Sequence, residues 1–304
     1  MSQPDVTEIT SGLGFPEGPV FMSDGSVLVT ELQRGRITRV HPDGRKETAA
    51  EPGGSPNGLA IGPDGALYVC NSGGWDFHEV GDFTIPVPEL PSHHSGGRIE
   101  RVDLDTGDVK VLYTECDGHP LIGPNDIVFD AHGGFWFTDH GRREGRVEHV
   151  GAIYYAQPDG SSIREVVFPS AAPNGIGLSP DGTRLYWAET HTGRVYARNV
   201  TGPGQVAHPG MGDMICGLPG MQLFDSLGVD CDGNVVVATL VTGALTVISP
   251  AGEVLDQVML GDPMVTNVCF GGDDLRTAYA TLSATGRLVS FPWPRPGLRL
   301  NYSM

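Results

Sequence analysis

No run of about 18 consecutive apolar residues occurs in this sequence, so no segment is long enough to cross a bilayer as a helix. No apolar stretch precedes Asp5 as a secretory leader would, and a cytoplasmic protein is expected. Cysteine is scarce and unpatterned: Cys70, Cys116, Cys216, Cys231 and Cys269 are an odd number with no CxxC spacing. That disfavours a disulfide framework or zinc ribbon, and the five are read as reduced, mostly buried, small apolar side chains. Basic residues are few as well. Nineteen Lys and Arg stand against 37 Asp and Glu, a formal charge of −18. Such a balance opposes binding to nucleic acid or an anionic membrane surface, because phosphate contacts need a basic patch. A GxSxG nucleophile elbow is missing, and the cysteines have no evident His partner, which leaves nucleophilic hydrolysis without support. Helical signals are missing too: no 10-residue stretch shows a convincing 3.6-residue period, which disfavours an α/β fold.

What the chain does have is turn chemistry. Its 44 Gly and 24 Pro fall in clusters between short apolar runs, a pattern of many short strands. The runs repeat. PNGIGLSPDGTRLYWAET at 173–190 has counterparts in PEGPVFMSDGSVLVTEL at 16–32, PNGLAIGPDGALYVCNS at 56–72 and PNDIVFDAHGGFWFTDH at 124–140. Looser copies are FDSLGVDCDGNVVVATL at 224–240 and TNVCFGGDDLRTAYATL at 266–282. The slot of Asn174 is thus held by Glu17, Asn57, Asn125, Asp225 and Asn267 in the other copies, with a mean spacing of about 50 residues. A Gly-led segment such as GRITRVHPDG at 35–44 or GAIYYAQPDG at 151–160 follows each copy.

Four-stranded units at this period are propeller blades. The expected fold is therefore all-β: a six-bladed β-propeller over residues 1–304 as one domain. Too little chain follows the last copy for a full blade, so the N-terminal segment VTEITSG is expected to supply the outer strand of the sixth blade and close the ring.

Equivalent positions of all blades meet at one end of a propeller's channel. Glu17, Asn57, Asn125, Asn174, Asp225 and Asn267 should form a polar ring there. An Asn after Pro also serves as turn punctuation, but Glu17 and Asp225 occupy slots where a turn asks for no acid. Carboxylates and amide oxygens gathered without basic partners are costly unless a cation neutralises them. An all-oxygen donor set suits a hard divalent ion, Ca²⁺ foremost or Mg²⁺, with Mn²⁺, Fe²⁺ and Zn²⁺ as alternatives.

The segments FPEGPV, GPNDIVFD, APNGIGLS, AETHTGRV and FDSLGVD resemble the senescence marker protein/gluconolactonase/luciferin-regenerating-enzyme family, which includes regucalcin and bacterial sugar lactonases. The resemblance covers roughly residues 8–292. It implies a six-bladed propeller with one divalent metal at the channel mouth, held by Glu17, Asn174 and Asp225. It also implies a catalytic role for Asp225, and substrate or metal contact for Asn125 and Asp126. Family members often carry Arg two residues before that Asn, and here the position is Gly123.

The expected activity is divalent-metal-dependent opening of a lactone ring, with a sugar lactone as the small-molecule partner. Asp225 would orient or deprotonate water, and Asn125 would hydrogen-bond substrate beside the metal. Asn57 and Asn125 lie 68 residues apart, and the excess sits in an insertion at about 73–96 carrying Trp75, Phe77, Phe83, His93 and His94. It is read as a lid, with Trp75 and His93 as substrate contacts, or else as a segment packed on a neighbouring blade or a second subunit. Asp139, His140 and Arg142, with His191, form a further polar cluster. A monomer or small homo-oligomer is expected. Two other functions fit the same ring: a non-catalytic cation-binding scaffold and a phosphotriesterase-like hydrolase.

Overall fold

The computed structural model describes residues 4–210 and 213–303. Six antiparallel sheets of four strands, one of them extended by a short fifth, account for the architecture, and no helix occurs among the described residues. It follows that no helix there is long and apolar enough to cross a membrane. The inner strands are Pro16–Phe21, Pro56–Ile61, Pro124–Phe129, Pro173–Leu178, Leu223–Val229 and Val265–Gly271, each opening one blade. Every repeat of the sequence is one blade. The last blade lacks its outermost strand in sequence order, and Thr7–Thr10 fills the place by pairing with Arg287–Pro292, in the register Thr7↔Ser290 and Glu8↔Val289. This closes the ring as expected, and it leaves no strand edge open between the chain's two ends.

Burial grades outward within a blade. In blade 2, Pro56–Ile61 and Leu67–Asn71 are buried throughout, whereas outermost Val109–Tyr113 is largely open to solvent. Apolar side chains fill the wedges between blades. Tyr68, Phe129, Phe135, Phe137 and Tyr154 join blades 2 and 3, with Phe137 and Tyr154 stacked at 5.1 Å. Burying one such aromatic stabilises by ~1.5–3 kcal/mol, so each wedge holds its two blades in fixed register.

Two devices set the ring of inner-strand N-termini. The first is a break in pairing next to the anchor position in all six blades, just after it in five, for example between Glu17 and Val20, and just before it in the sixth, between Val265 and Asn267. Such bulges turn a side chain away from the sheet pattern and into the channel. The second is the acid that ends the second strand. Glu31 accepts from Gly14 N at 2.6 Å and Glu189 from Ala171 N at 3.0 Å, each pinning the loop that leads into its anchor. Asn71 does the same in blade 2 through Ser55 N at 3.1 Å.

The end of the chain does something the repeats did not announce. Beyond Pro292 it crosses the far mouth of the channel: Leu298 N donates to Val229 O at 2.9 Å, Asn301 Nδ2 to Phe129 O at 3.0 Å, and Tyr302 meets Phe129 edge-on at 5.8 Å. Between this strap and the ring lies an apolar cavity of about 590 Å³, lined by Val20, Ile61, Phe129, Leu178, Val229 and Phe270.

The cysteines depart partly from expectation. All five are free, yet only Cys70, Cys116 and Cys216 are buried, while Cys269 is half-buried and Cys231 exposed. Cys231 lies in a turn, where no neighbouring blade covers it.

Candidate functional site

All six anchor residues are buried, each with 8% or less of its surface exposed. Their contacts bind the ring together. Asn267 Nδ2 donates to Glu17 Oε2 at 3.1 Å, Ser226 Oγ to Asn174 Oδ1 at 3.3 Å, and Asn174 Nδ2 to Thr190 Oγ1 at 3.2 Å. Asp225 Oδ1 accepts from Ser226 N at 3.1 Å and is further engaged by the Asn174 side chain. Asp126, next in sequence to Asn125, is also buried and feels no cation, while its own charge acts on both Glu17 and Asp225.

Glycine after the anchor makes this crowding possible. A Cβ on Gly58 would lie 2.6 Å from Asn125 O and 2.8 Å from Asp126 Oδ1, and one on Gly175 would lie 2.4 Å from Leu227 N. The PNG motif thus gives neighbouring inner strands room to approach. Threonines stitch the blades from the other side: Thr30 Oγ1 donates to Asn57 O at 2.9 Å and Thr138 Oγ1 to Asn174 O at 2.6 Å.

The electrostatics are those of acids without counterions. Burial pushes Glu17 up to about 7 and Asp126 up to about 7. Asp225 is raised well above the usual carboxylate range by burial and by the Glu17 charge. Among the described residues none of the three is ion-paired with Lys, Arg or His. Two ring amides add to the deficit, since Asn57 Oδ1 and Asn125 Oδ1 are buried with no hydrogen-bond donor. Buried acceptors in this state each cost ~1–3 kcal/mol unless something electropositive meets them. No group of three or more His, Cys, Asp or Glu forms a ready metal cage among the described residues. A cation here would therefore rely on amide oxygens beside Glu17 and Asp225. The orphaned oxygens and the missing counterions fit a hard divalent ion.

A pH dependence follows. In the unfolded chain Glu17 ionises near 4.5 and in the folded chain near 7, so between these values the folded state retains a proton that the unfolded state has released. Metal-free protein should lose stability as pH rises through that window, by up to about 3 kcal/mol from Glu17 alone. Melting in chelator should come at lower temperature at pH 7.5 than at pH 5, and Ca²⁺ should raise the melting temperature far more at pH 7.5. A metal-free melting temperature that climbs steadily from pH 5 to 7.5 would remove the uncompensated acid.

The insertion lies at the same mouth, because it follows the end of Leu67–Asn71, which pairs with Pro56. Its hairpin, Phe77–Val80 with Phe83–Pro86, reaches across the face. Phe77 packs on Phe15 of blade 1 at 5.1 Å, Thr84 N donates to Ala284 O of blade 6 at 2.8 Å, and Leu90 N donates to Arg143 O of blade 3 at 2.7 Å. The segment thus rests on its neighbouring blades and also spans the mouth. Trp75 is brought inward, its ring 3.1 Å from the Arg142 guanidinium carbon. His93 is not: its side chain is 59% exposed, 3.7 Å from Asp76. Its ring lies 3.3 Å from where a Cβ on Gly74 would stand, next to Trp75 in the chain.

Asp139 also proves structural in its contacts, accepting from Ile122 N, Gly123 N and Gly141 N at 2.8, 2.8 and 2.9 Å. His140 and His191 meet edge-on at 5.5 Å, and desolvation holds His140 down at about 3. Arg142 belongs to a polar cluster by its sequence position, which assigns it no role, yet it is only 2% exposed. Its neighbour Arg143 looks the same in sequence, but is 53% exposed and paired with Glu89 at 2.9 Å. Nothing in the tandem pair says which one turns inward.

A six-bladed propeller with a buried acid and amide ring at one mouth defines a class, and the family comparison names it. The model described as SMP-30/Gluconolactonase/LRE-like region matches residues 15–284, and the chain belongs to that family. Lactonase drp35 of Staphylococcus saprophyticus is 30% identical over 246 residues, covering 80% of this chain and 69% of the relative. Among solved structures, a gluconolactonase from Xanthomonas campestris aligns with a TM-score of 0.75 at 20% identity, over 95% of this chain and 89% of its own. A calcium-binding protein, regucalcin, from Agrobacterium tumefaciens aligns at 0.70 and 18%, over 95% of each chain. At these identities the two structures bear on the fold alone.

Proposed function

We propose that this chain is a divalent-metal-dependent lactonase that opens the ester ring of a sugar lactone. The observation that carries the proposal is the ring itself: Glu17 and Asp225 buried together without counterion among the described residues. Glu17, Asn174 and Asp225 would hold one cation, with Ca²⁺ the best match to oxygen donors and Mg²⁺, Mn²⁺, Fe²⁺ or Zn²⁺ as competitors. When bound, that ion supplies Lewis acidity toward the lactone carbonyl. The relative named a lactonase supports the hydrolysis of a lactone.

The chain's own residues supply the rest. Asp225, raised by burial and by the Glu17 charge, is a stronger base than a free carboxylate and would orient or deprotonate the attacking water. The Asn125 Oδ1 accepts no hydrogen bond from the described residues, which leaves the amide free to orient substrate. Asp126 stands beside it as an acceptor for a substrate hydroxyl. The insertion covers the mouth, limiting water and shaping the substrate space. Five free cysteines agree with a reducing, cytoplasmic setting.

Comparing γ-lactone, δ-lactone and organophosphate hydrolysis in one assay with metal add-back tests this. Metal-dependent loss of lactone is expected. Preference for the organophosphate, or metal binding without turnover of anything, would assign a phosphotriesterase or a scaffold instead.

Replacing residues 77–86 by a short Gly-Ser link should reorder the lactones by roughly tenfold in relative kcat/KM. Metal affinity should change little, because the hairpin supplies no ring residue. An unaltered ranking in the folded variant would refute the lid.

A further inference from the structure

Arg142 is a buried guanidinium with almost nothing to hold. It is 2% exposed, and its one hydrogen bond runs from Nη2 to Gly74 O at 2.8 Å. Nε and Nη1 are buried and meet no acceptor. The obvious partner, Asp139, already accepts three backbone N–H bonds and makes no ion pair with it among the described residues. Buried donors without acceptors are costly, and burial pushes this guanidinium down to about 9 although the nearby Asp139 charge acts to raise it.

Its position matters as much as its lack of an acceptor. A side chain on Gly123 would begin 3.1 Å from Gly141 O, 3.5 Å from Arg142 Nε and 3.7 Å from Asp139 Oδ1, so Arg142 lies beside that glycine. Gly123 is two residues from Asn125, at the same mouth as the ring. The Trp75 ring, 3.1 Å away, holds the guanidinium flat. A guanidinium stacked on an aromatic ring, with donors left over, suits an anionic oxygen group.

We propose that Arg142 recognises an anionic oxygen group on the substrate, specifically a carboxylate carried by the lactone. This rests on the lactonase function proposed above and names its substrate class. A carboxylate is favoured over a phosphate by the surroundings. His140, held near 3, stays neutral, and Asp139, Asp126, Glu17 and Asp225 lie around the mouth, so one positive charge suits a monoanion better than a dianion. Nη1, with the second Nη2 hydrogen beside it, would donate end-on to the carboxylate oxygens while Nη2 keeps its bond to Gly74 O, and no covalent step involves Arg142. A purely structural Arg142 would instead only pin the insertion through Gly74 and Trp75.

The test uses the full chain loaded with Ca²⁺, and compares glucono-δ-lactone with a glucarolactone that bears a free carboxylate. Wild type should favour the carboxylated lactone at least about tenfold in kcat/KM. Arg142→Gln should cut that ratio about 100-fold, chiefly through KM, and Arg142→Lys should retain part of it by keeping the charge. In parallel, succinate and inorganic phosphate are titrated against tryptophan fluorescence, which reads binding without turnover. Saturable quenching by succinate in wild type, lost in Arg142→Gln with unchanged far-ultraviolet dichroism, supports the site. Equal loss on both lactones, with succinate binding intact, makes Arg142 a pin for the insertion and overturns the proposal, as does a wild type indifferent to the carboxylate. Quenching by phosphate alone overturns the choice of carboxylate. Succinate binding that depends on Arg142, in a protein that opens no lactone, would sink the lactonase function and keep the anion site.

Discussion

Asp225→Asn is expected to abolish lactone hydrolysis, by at least about 10³ in kcat/KM, and to weaken Ca²⁺ binding severely while the propeller stays folded. The substitution is isosteric: the amide oxygen it introduces can still accept from Ser226 N, and blade 5 rests on apolar residues such as Val235 and Val237 away from the ring. What disappears is one of two carboxylate charges that burial and mutual repulsion hold in a strained state. Metal-free Asp225→Asn should therefore melt at higher temperature than metal-free wild type at pH 7.5, although it binds the ion worse. Glu17→Gln should behave alike, since the two acids act on one another and Gln can keep its link to Asn267. Calorimetric metal titration beside thermal melting checks both variants. Unchanged metal binding in either folded protein would take that residue out of the site.

A second large loss is expected at Asn125, where turnover should suffer and metal retention should not. It is buried on the ring beside Asp126, where its amide Nδ2 would be the donor to substrate. Removing a single hydrogen-bond donor from a developing oxyanion costs ~2.7–4 kcal/mol of barrier, a factor of about 10²–10³. Asn125→Ala should lose that much of kcat/KM and keep one equivalent of Ca²⁺. A fully active variant would remove Asn125 from the chemistry. One that cannot hold the ion would make it a fourth ligand.

The six anchors are legible in the sequence because each lies at the same step of a repeated run, and a propeller turns sequence repetition into spatial convergence. Closure by the N-terminal strand is legible from the strand count alone. The same symmetry does not say which amides are satisfied. Asn174 and Asn267 find partners in Thr190 and Glu17, whereas the oxygens of Asn57 and Asn125 find none, a difference set by neighbouring blades rather than by local motif. Arg142 and Arg143 adjoin in the chain and alternate across a short strand, so one faces in and the other out. Single-sequence periodicity over three residues is too short to reveal that. The C-terminal strap carries no repeat and is held largely by backbone groups, for which side-chain pattern offers no signal.

The most direct test of one cation held by the ring is a pH-stat assay of lactone opening on a single chelator-stripped sample, titrated with Ca²⁺. The expected result is negligible hydrolysis at zero metal, a linear rise to one equivalent per chain, and a plateau beyond it. Full hydrolysis by the stripped protein would contradict the assignment of Glu17, Asn174 and Asp225 as the metal site of a lactonase.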